Sequence, residues 1–169
     1  MAKVSITVPV CNYGRYLRRC LDSLVAQTLK DIEIICVDAG STDDSLAIVE
    51  EYAARDGRFR LGAVGVASAR NAALEASTAP YLMACDSDDW AEPTWCEELY
   101  EAIERSGADF AVARAFIDGE CPRQQKEFLE GNQVLRYQGL QAASSEMFGR
   151  IDAAVWIKIF RRDLVERYA

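Results

Sequence analysis

Three aspartates fall within four positions in the stretch YLMACDSDDW, residues 81–90: Asp86, Asp88 and Asp89. Like charges packed this closely are costly, since two carboxylates about 4 Å apart repel by roughly 4 kcal/mol at an effective dielectric near 20. If the apolar run Tyr81-Leu82-Met83-Ala84-Cys85 is a strand whose geometry persists, Asp86 and Asp88 lie on one side about 6.7 Å apart, with Asp89 on the other. Such a pair suits a hard divalent cation, bound directly or through water. The cation turns repulsion into attraction and keeps coordination positions for phosphate oxygens. A second reading has Asp88 and Asp89 only precede and cap the following helix. Two further strand ends rich in ligand-type residues favour the metal.

Those strand ends depend on the elements that must position them. KVSITVPV (3–10) is β-branched and apolar without alternation, as expected of a central parallel strand covered on both faces. GRYLRRCLDSLVAQT (14–28) then places Leu17, Cys20, Leu21, Leu24 and Val25 at helical spacing. A second strand, IEIICVD (32–38), is followed by a helix expected to open on a capping-box-like Ser41 and Asp44 and to stop at Gly57. A strand near 59–64, a helix near 66–77 and the strand 81–85 come next. A helix with Pro93 in its first turn and its end at Gly107 leads to a strand over 108–117. Residues 118–150 read as a loop or hairpin, and 153–169 as a strand running into a helix. Strands and helices alternating at this spacing predict one α/β domain over 1–169, a mostly parallel twisted sheet flanked by helices. Ligands of such sheets bind beyond the carboxyl ends of the strands. The termini VCNYG, VDAGS and CDSDD should therefore converge on one crevice.

Composition narrows the chemistry. A net charge of −8 speaks against a nucleic-acid surface, so anionic ligands must be met locally by a cation, a few basic side chains or amides. Histidine is absent, which removes imidazole bases and His-ligated metals and leaves carboxylates suited to Mg²⁺ or Mn²⁺. The cysteines at 11, 20, 36, 85, 96 and 121 lack C-x-x-C spacing. Cys20, Cys36, Cys85 and Cys96 fall at apolar positions and are expected to be reduced core thiols. No apolar run approaches the roughly 20 residues of a membrane span, and no signal peptide is evident, so a cytoplasmic location is expected.

The ordered series VSITVPVCNYGRYLRRCLDSLVAQTLKDIEIICVDAGSTDDS, GVASARNAALEAS and YLMACDSDDWAEP resembles the family 2 glycosyltransferases of the GT-A fold. The likeness covers roughly residues 3–93, and VWIKIFRRDLVE extends it weakly toward the chain end. The resemblance implies a GT-A-type, Rossmann-like sheet and a nucleotide-sugar donor, commonly a UDP-sugar, held through Mn²⁺ or Mg²⁺ at a DxD motif. It implies that Pro9 and Asn12 line the nucleotide site, that Asp38 and Ala39 sit beside the base, and that Arg70 approaches the nucleotide or diphosphate. Asp86, with Ser87 beside it, would face the ribose or the metal's water shell, and Asp88 would be the principal metal ligand. From the residues alone, Asn12 could equally shape a turn, Asp38 bond the amides of GST, and Arg70 be a helix surface charge.

Three departures from the family pattern stand out. Ala39 replaces a base-facing aspartate, Cys11 replaces an aromatic residue, and only GAV joins RFRL to GVASARN. The carboxylate that would deprotonate the acceptor lies, in the family, beyond the segment matched by VWIKIFRRDLVE. No catalytic base is therefore identified, and the chain is expected to be truncated at its C-terminal end. The expected function is a metal-dependent inverting glycosyltransferase acting on a polysaccharide or lipid-linked glycan hydroxyl, with peripheral membrane association left open. A non-catalytic, nucleotide-sugar-binding remnant of the same fold is the alternative. Aspartate phosphatases carry their DxD after the first strand, and a sugar nucleotidyltransferase would want a Gly-rich loop there, so neither matches.

Overall fold

The structure, a computed structural model, describes residues 1–63, 69–113 and 157–168. The expected order of elements holds. Strand β1 (Val4–Val10) leads into helix α1 (Gly14–Val25), then β2 (Ile32–Asp38), α2 (Ser45–Arg55) and β3 (Phe59–Ala63). Helix α3 (Ala69–Ala76), β4 (Tyr81–Ala84), α4 (Trp95–Ser106) and β5 (Phe110–Val112) follow, and β6 (Lys158–Arg161) runs into α5 (Arg162–Tyr168). The six strands form one sheet in the order β3-β2-β1-β4-β6-β5. The pairings β2–β3, β1–β2 and β1–β4 are parallel, whereas β6 is antiparallel to both β4 and β5.

Every residue of β2 is buried, which explains why IEIICVD shows no alternation: this strand is covered on both faces. On one face Val4, Ile6, Val8, Ile34 and Cys36 join Leu17, Leu21 and Leu24 of α1, Ile48 and Val49 of α2, and Leu99 and Ile103 of α4. Each such leucine or isoleucine contributes about 1.5–3 kcal/mol by leaving water. On the other face Ala73 of α3 packs on Ile35 and Val37. At the entry edge of the sheet the buried Glu33 carboxylate accepts hydrogen bonds from Ser5 Oγ (2.6 Å), the Ala79 amide (3.1 Å), and the amide and hydroxyl of Thr78. Burial alone would raise the Glu33 carboxyl, but the hydrogen bonds from Ser5 and Thr78 hold it below its ordinary value.

Several boundaries differ from expectation. Helix α2 starts at Ser45 and its Asp44 cap position makes no side-chain capping bond, so the Ser41–Asp44 box does not form. It ends on an extended Asp56 before Gly57 is reached. Pro93 lies just ahead of the cap residue Thr94 and outside the first turn of α4. Gly107 does end α4 in the left-handed conformation (φ 61°), with its amide bonded to the Ile103 carbonyl. The loop expected over 118–150 lies outside the described residues. Among the described residues, no helix is long and apolar enough to cross a membrane.

Candidate functional site

The parallel register sets the crevice. Val10 pairs with Asp38 and Thr7 with Ala84, so the carboxyl ends of β1, β2 and β4 reach one sheet edge, as expected. Half-buried Pro9 stands opposite Val37 just inside that edge.

The ends of β1 and β2 are tied together by side chains. Asn12 adopts φ 58°, a left-handed conformation that asparagine tolerates better than most residues. Its amide donates to Ser41 Oγ (3.0 Å), while its Oδ1 accepts from the Thr42 amide (2.7 Å) and hydroxyl (3.2 Å). The Tyr13 amide donates to Ser45 Oγ (3.0 Å) and the Gly14 amide to Asp43 Oδ2 (3.0 Å). Bonds from the Ser45 hydroxyl and the Gly14 amide hold the Asp43 carboxyl below its usual value. A Cβ added to Gly14 would meet the carboxylate end of the exposed Asp44 side chain, which would have to turn aside. The amides that open α1 are thus capped from the β2–α2 loop, at a helix end that elsewhere could receive phosphate. Sequence reasoning missed Asp43 and Ser45 as site-shaping residues and gave Ser41 to its own helix. Their signal was the dense polar run STDDS.

Asp38 is buried, and its carboxylate accepts from the Gly40 (3.0 Å) and Ser41 (3.1 Å) amides. It bonds the turn amides, with Gly40 at φ 89° making the bend. Buried Ala39 continues the chain, its amide bonded to the Val10 carbonyl (2.8 Å).

At the end of β4 the extended geometry expected for Asp86 and Asp88 is not kept. The Cys85 amide makes a last bond to the Thr7 carbonyl (2.9 Å), and the Asp89 amide then turns back onto the Asp86 carbonyl (3.0 Å). A turn therefore replaces the alternation on which the 6.7 Å separation rests. Ser87 is buried within it, Asp88 is exposed, and Asp86 and Asp89 are half-buried. Burial, and then the charges of Asp88 and Asp86, raise the Asp89 carboxyl above its usual value. Arg70 Nη2 meets Asp86 Oδ1 at 2.8 Å, bringing α3 to the same rim. Neither Asp88 nor Asp89 caps α4, whose cap residue is Thr94. Among the described residues, no three acidic or thiol side chains converge as a ready metal cage. Trp90 stacks under the Arg19 guanidinium, 4.7 Å from the ring centre. A cleft lined by Pro80, Tyr81, Arg161, Arg162, Asp163 and Glu166 lies at the opposite end of β4, away from this rim.

Comparison with known proteins points to one family. The profile described as "Glycosyl transferase family 2" matches residues 5–168. The glycosyltransferase GlyA of Streptococcus pneumoniae serotype 4 is 41% identical over 121 residues, covering 70% of this chain and 17% of its own length. EpsJ of Bacillus subtilis (strain 168), described as an uncharacterized glycosyltransferase, is 35% identical over 177 residues, 97% of this chain and 49% of its own. Among solved structures, S. aureus TarS 1–349 in complex with UDP-GlcNAc superposes with a TM-score of 0.81 at 24% identity, over 98% of this chain and 47% of that one. The chain thus spans about half the length, or less, of these relatives. With the strand-end motifs gathered at one edge of a GT-A-type sheet and a profile match over nearly every residue, the chain belongs to glycosyl transferase family 2.

Proposed function

We propose that this chain carries the donor site of a metal-dependent, inverting glycosyltransferase. In this reading it takes a nucleotide-sugar, a UDP-sugar first, and passes the sugar to a hydroxyl of a glycan or lipid-linked glycan. A cytoplasmic setting, with the described cysteines reduced, belongs to the same reading. The observation that carries it is the meeting of Asn12, Asp38 and the Asp86–Asp88 turn at one sheet edge, with Arg70 held on Asp86. Relatives described as glycosyltransferases, and a fold shared with a UDP-GlcNAc-bound structure, support the donor class.

The donor set fits a hard cation. Exposed Asp88 makes no bond to another described side chain, and Asp86 is the second carboxylate. Mg²⁺ and comparable ions are commonly held by one or two carboxylates plus substrate phosphates, so a missing third carboxylate does not tell against the site. When bound, the ion would neutralise charge on the departing diphosphate. The residues do the remaining work: Arg70, poised by Asp86, faces the diphosphate side, and the Asn12–Ser41–Thr42 link sets the lip on which the nucleoside rests. The absence of a carboxylate at Ala39 leaves the base fewer partners. That favours, as a second reading, a donor-binding unit without transfer activity.

Thermal unfolding with UDP and Mn²⁺ tests the site. A ligand bound only by the native state at about one hundred times its Kd adds roughly 2.7 kcal/mol. The parent chain should therefore melt higher, and Asp88→Asn should lose most of that gain. An Asp88→Asn protein that responds like the parent removes Asp88 from the donor site. Release of UDP from a UDP-sugar on adding a glycan acceptor then separates transfer from binding.

A further inference from the structure

Two thiols that the donor site does not use meet beneath its acidic turn. Cys20, midway along α1, and Cys85, directly before Asp86, place their Sγ atoms 3.7 Å apart. Both are enclosed in the core, at 0% and 3% exposure. Each thiol also lies against the Asp86 carbonyl oxygen, at 3.6 Å from Cys20 and 3.7 Å from Cys85. That oxygen is the one that closes the Asp86–Asp89 turn. Sulfurs already in contact need only a modest approach to reach the bonding distance of about 2.05 Å.

We propose that Cys20 and Cys85 are a redox pair, whose disulfide ties α1 to the donor-site turn and weakens donor binding. Hydrogen peroxide is the oxidant. One sulfur attacks the peroxide and becomes a sulfenic acid with loss of water. The second sulfur attacks the first and displaces the oxygen as another water. Two thiols and one peroxide thus give one disulfide and two waters. A dithiol reductant reverses the step by exchange.

The coupling to the site is local. A disulfide has no S–H, so the Asp86 carbonyl loses both thiol donors at once, and Cys85 is drawn toward α1 together with the chain entering the turn. Both thiols are enclosed in the core, so the reduced pair is slow to react until a local opening admits the oxidant. Cys36 shares the same core and feels the Cys85 thiol, but it sits on β2, across β1 from β4. It serves as the control.

The test uses the whole folded chain, reduced and then treated with hydrogen peroxide. Peptide mapping without reductant should find a linked pair of peptides carrying Cys20 and Cys85, cleaved by dithiothreitol. The link should be absent from Cys20→Ser and from Cys85→Ala, either of which suffices if the other misfolds, and present in Cys36→Ser. In the oxidised parent most of the UDP–Mn²⁺ rise in melting temperature should be lost and return with reductant. No link in the folded chain, a link that forms only after unfolding, or a link to another cysteine overturns the pair. A Cys20–Cys85 link with an undiminished UDP response overturns the coupling. The coupling rests on the donor reading. If the reduced parent gives no UDP response, that reading has failed, and the peptide map still decides the pair.

Discussion

The Asn12 junction allows a prediction worked from its geometry. Two energies meet at this residue. Its Oδ1 accepts two hydrogen bonds from Thr42 at a solvent-accessible rim, with a combined net worth of about 1 kcal/mol. Its backbone holds φ 58°, where a residue with an ordinary Cβ is penalised by roughly 1–2 kcal/mol and asparagine by less. Asn12→Ala loses both contributions, about 2 kcal/mol together. Asn12→Gly loses the side-chain bonds but keeps the left-handed backbone, at about half that cost. For a chain of this size each kcal/mol moves the midpoint by about 2–4 °C. Asn12→Ala should therefore melt about 4–8 °C below the parent and Asn12→Gly about 2–4 °C below it, read by calorimetry and checked by urea unfolding. Both should also bind UDP more weakly, because the lip between β1 and β2 loses its tie. If Asn12→Gly falls as far as Asn12→Ala, the backbone conformation is not what asparagine serves here. If neither falls, the Asn12–Thr42 link does not hold the lip.

Two further expectations concern charge. The Glu33 carboxyl is held below its ordinary value of 4.5, so its contribution to stability is complete above that pH and is lost as pH falls through the lower native value. Glu33→Gln should cost about 1.5–3 kcal/mol at neutral pH, with the gap to the parent narrowing on acidification below 4.5; a gap independent of pH in denaturant titrations would refute the assignment. Among the described residues Arg70 pairs only with Asp86, in a largely exposed contact, so Arg70→Ala should change stability by less than about 1 kcal/mol. UDP affinity by titration calorimetry with Mn²⁺ should nevertheless fall about ten- to hundredfold, the loss of a charge-assisted bond of about 1.5–3 kcal/mol. Equal affinities would place Arg70 outside the diphosphate side.

Much of the framework was legible in the chain because it rests on local and periodic properties. The β-branched, apolar run KVSITVPV, which lacks alternation, marks a central strand covered on both faces, and in β1 all but the half-buried Thr7 and Pro9 are buried. The spacing of Leu17, Cys20, Leu21 and Leu24 marks the buried stripe of α1, and Gly107 ends α4 because it accepts a positive φ. Strand-terminal polar runs and the alternation of elements placed Asn12, Asp38 and Asp86 at one edge, since parallel strands align their carboxyl ends. Choices among equally near partners were settled in three dimensions. A serine hydroxyl or carboxylate bonds whichever donor lies within reach. The Val10–Asp38 register brings the amides of residues 12–14 to Ser41, Asp43 and Ser45, while Asp43 also accepts from the Ser45 amide that opens α2. The turn at Asp86–Asp89, the Arg70–Asp86 pair and the contact of Cys20 with Cys85 join residues whose mutual distance no periodicity encodes. The antiparallel entry of β6 between β4 and β5 is of the same kind, because strand order follows from which edges the packed helices leave open, not from the order of the strands along the chain.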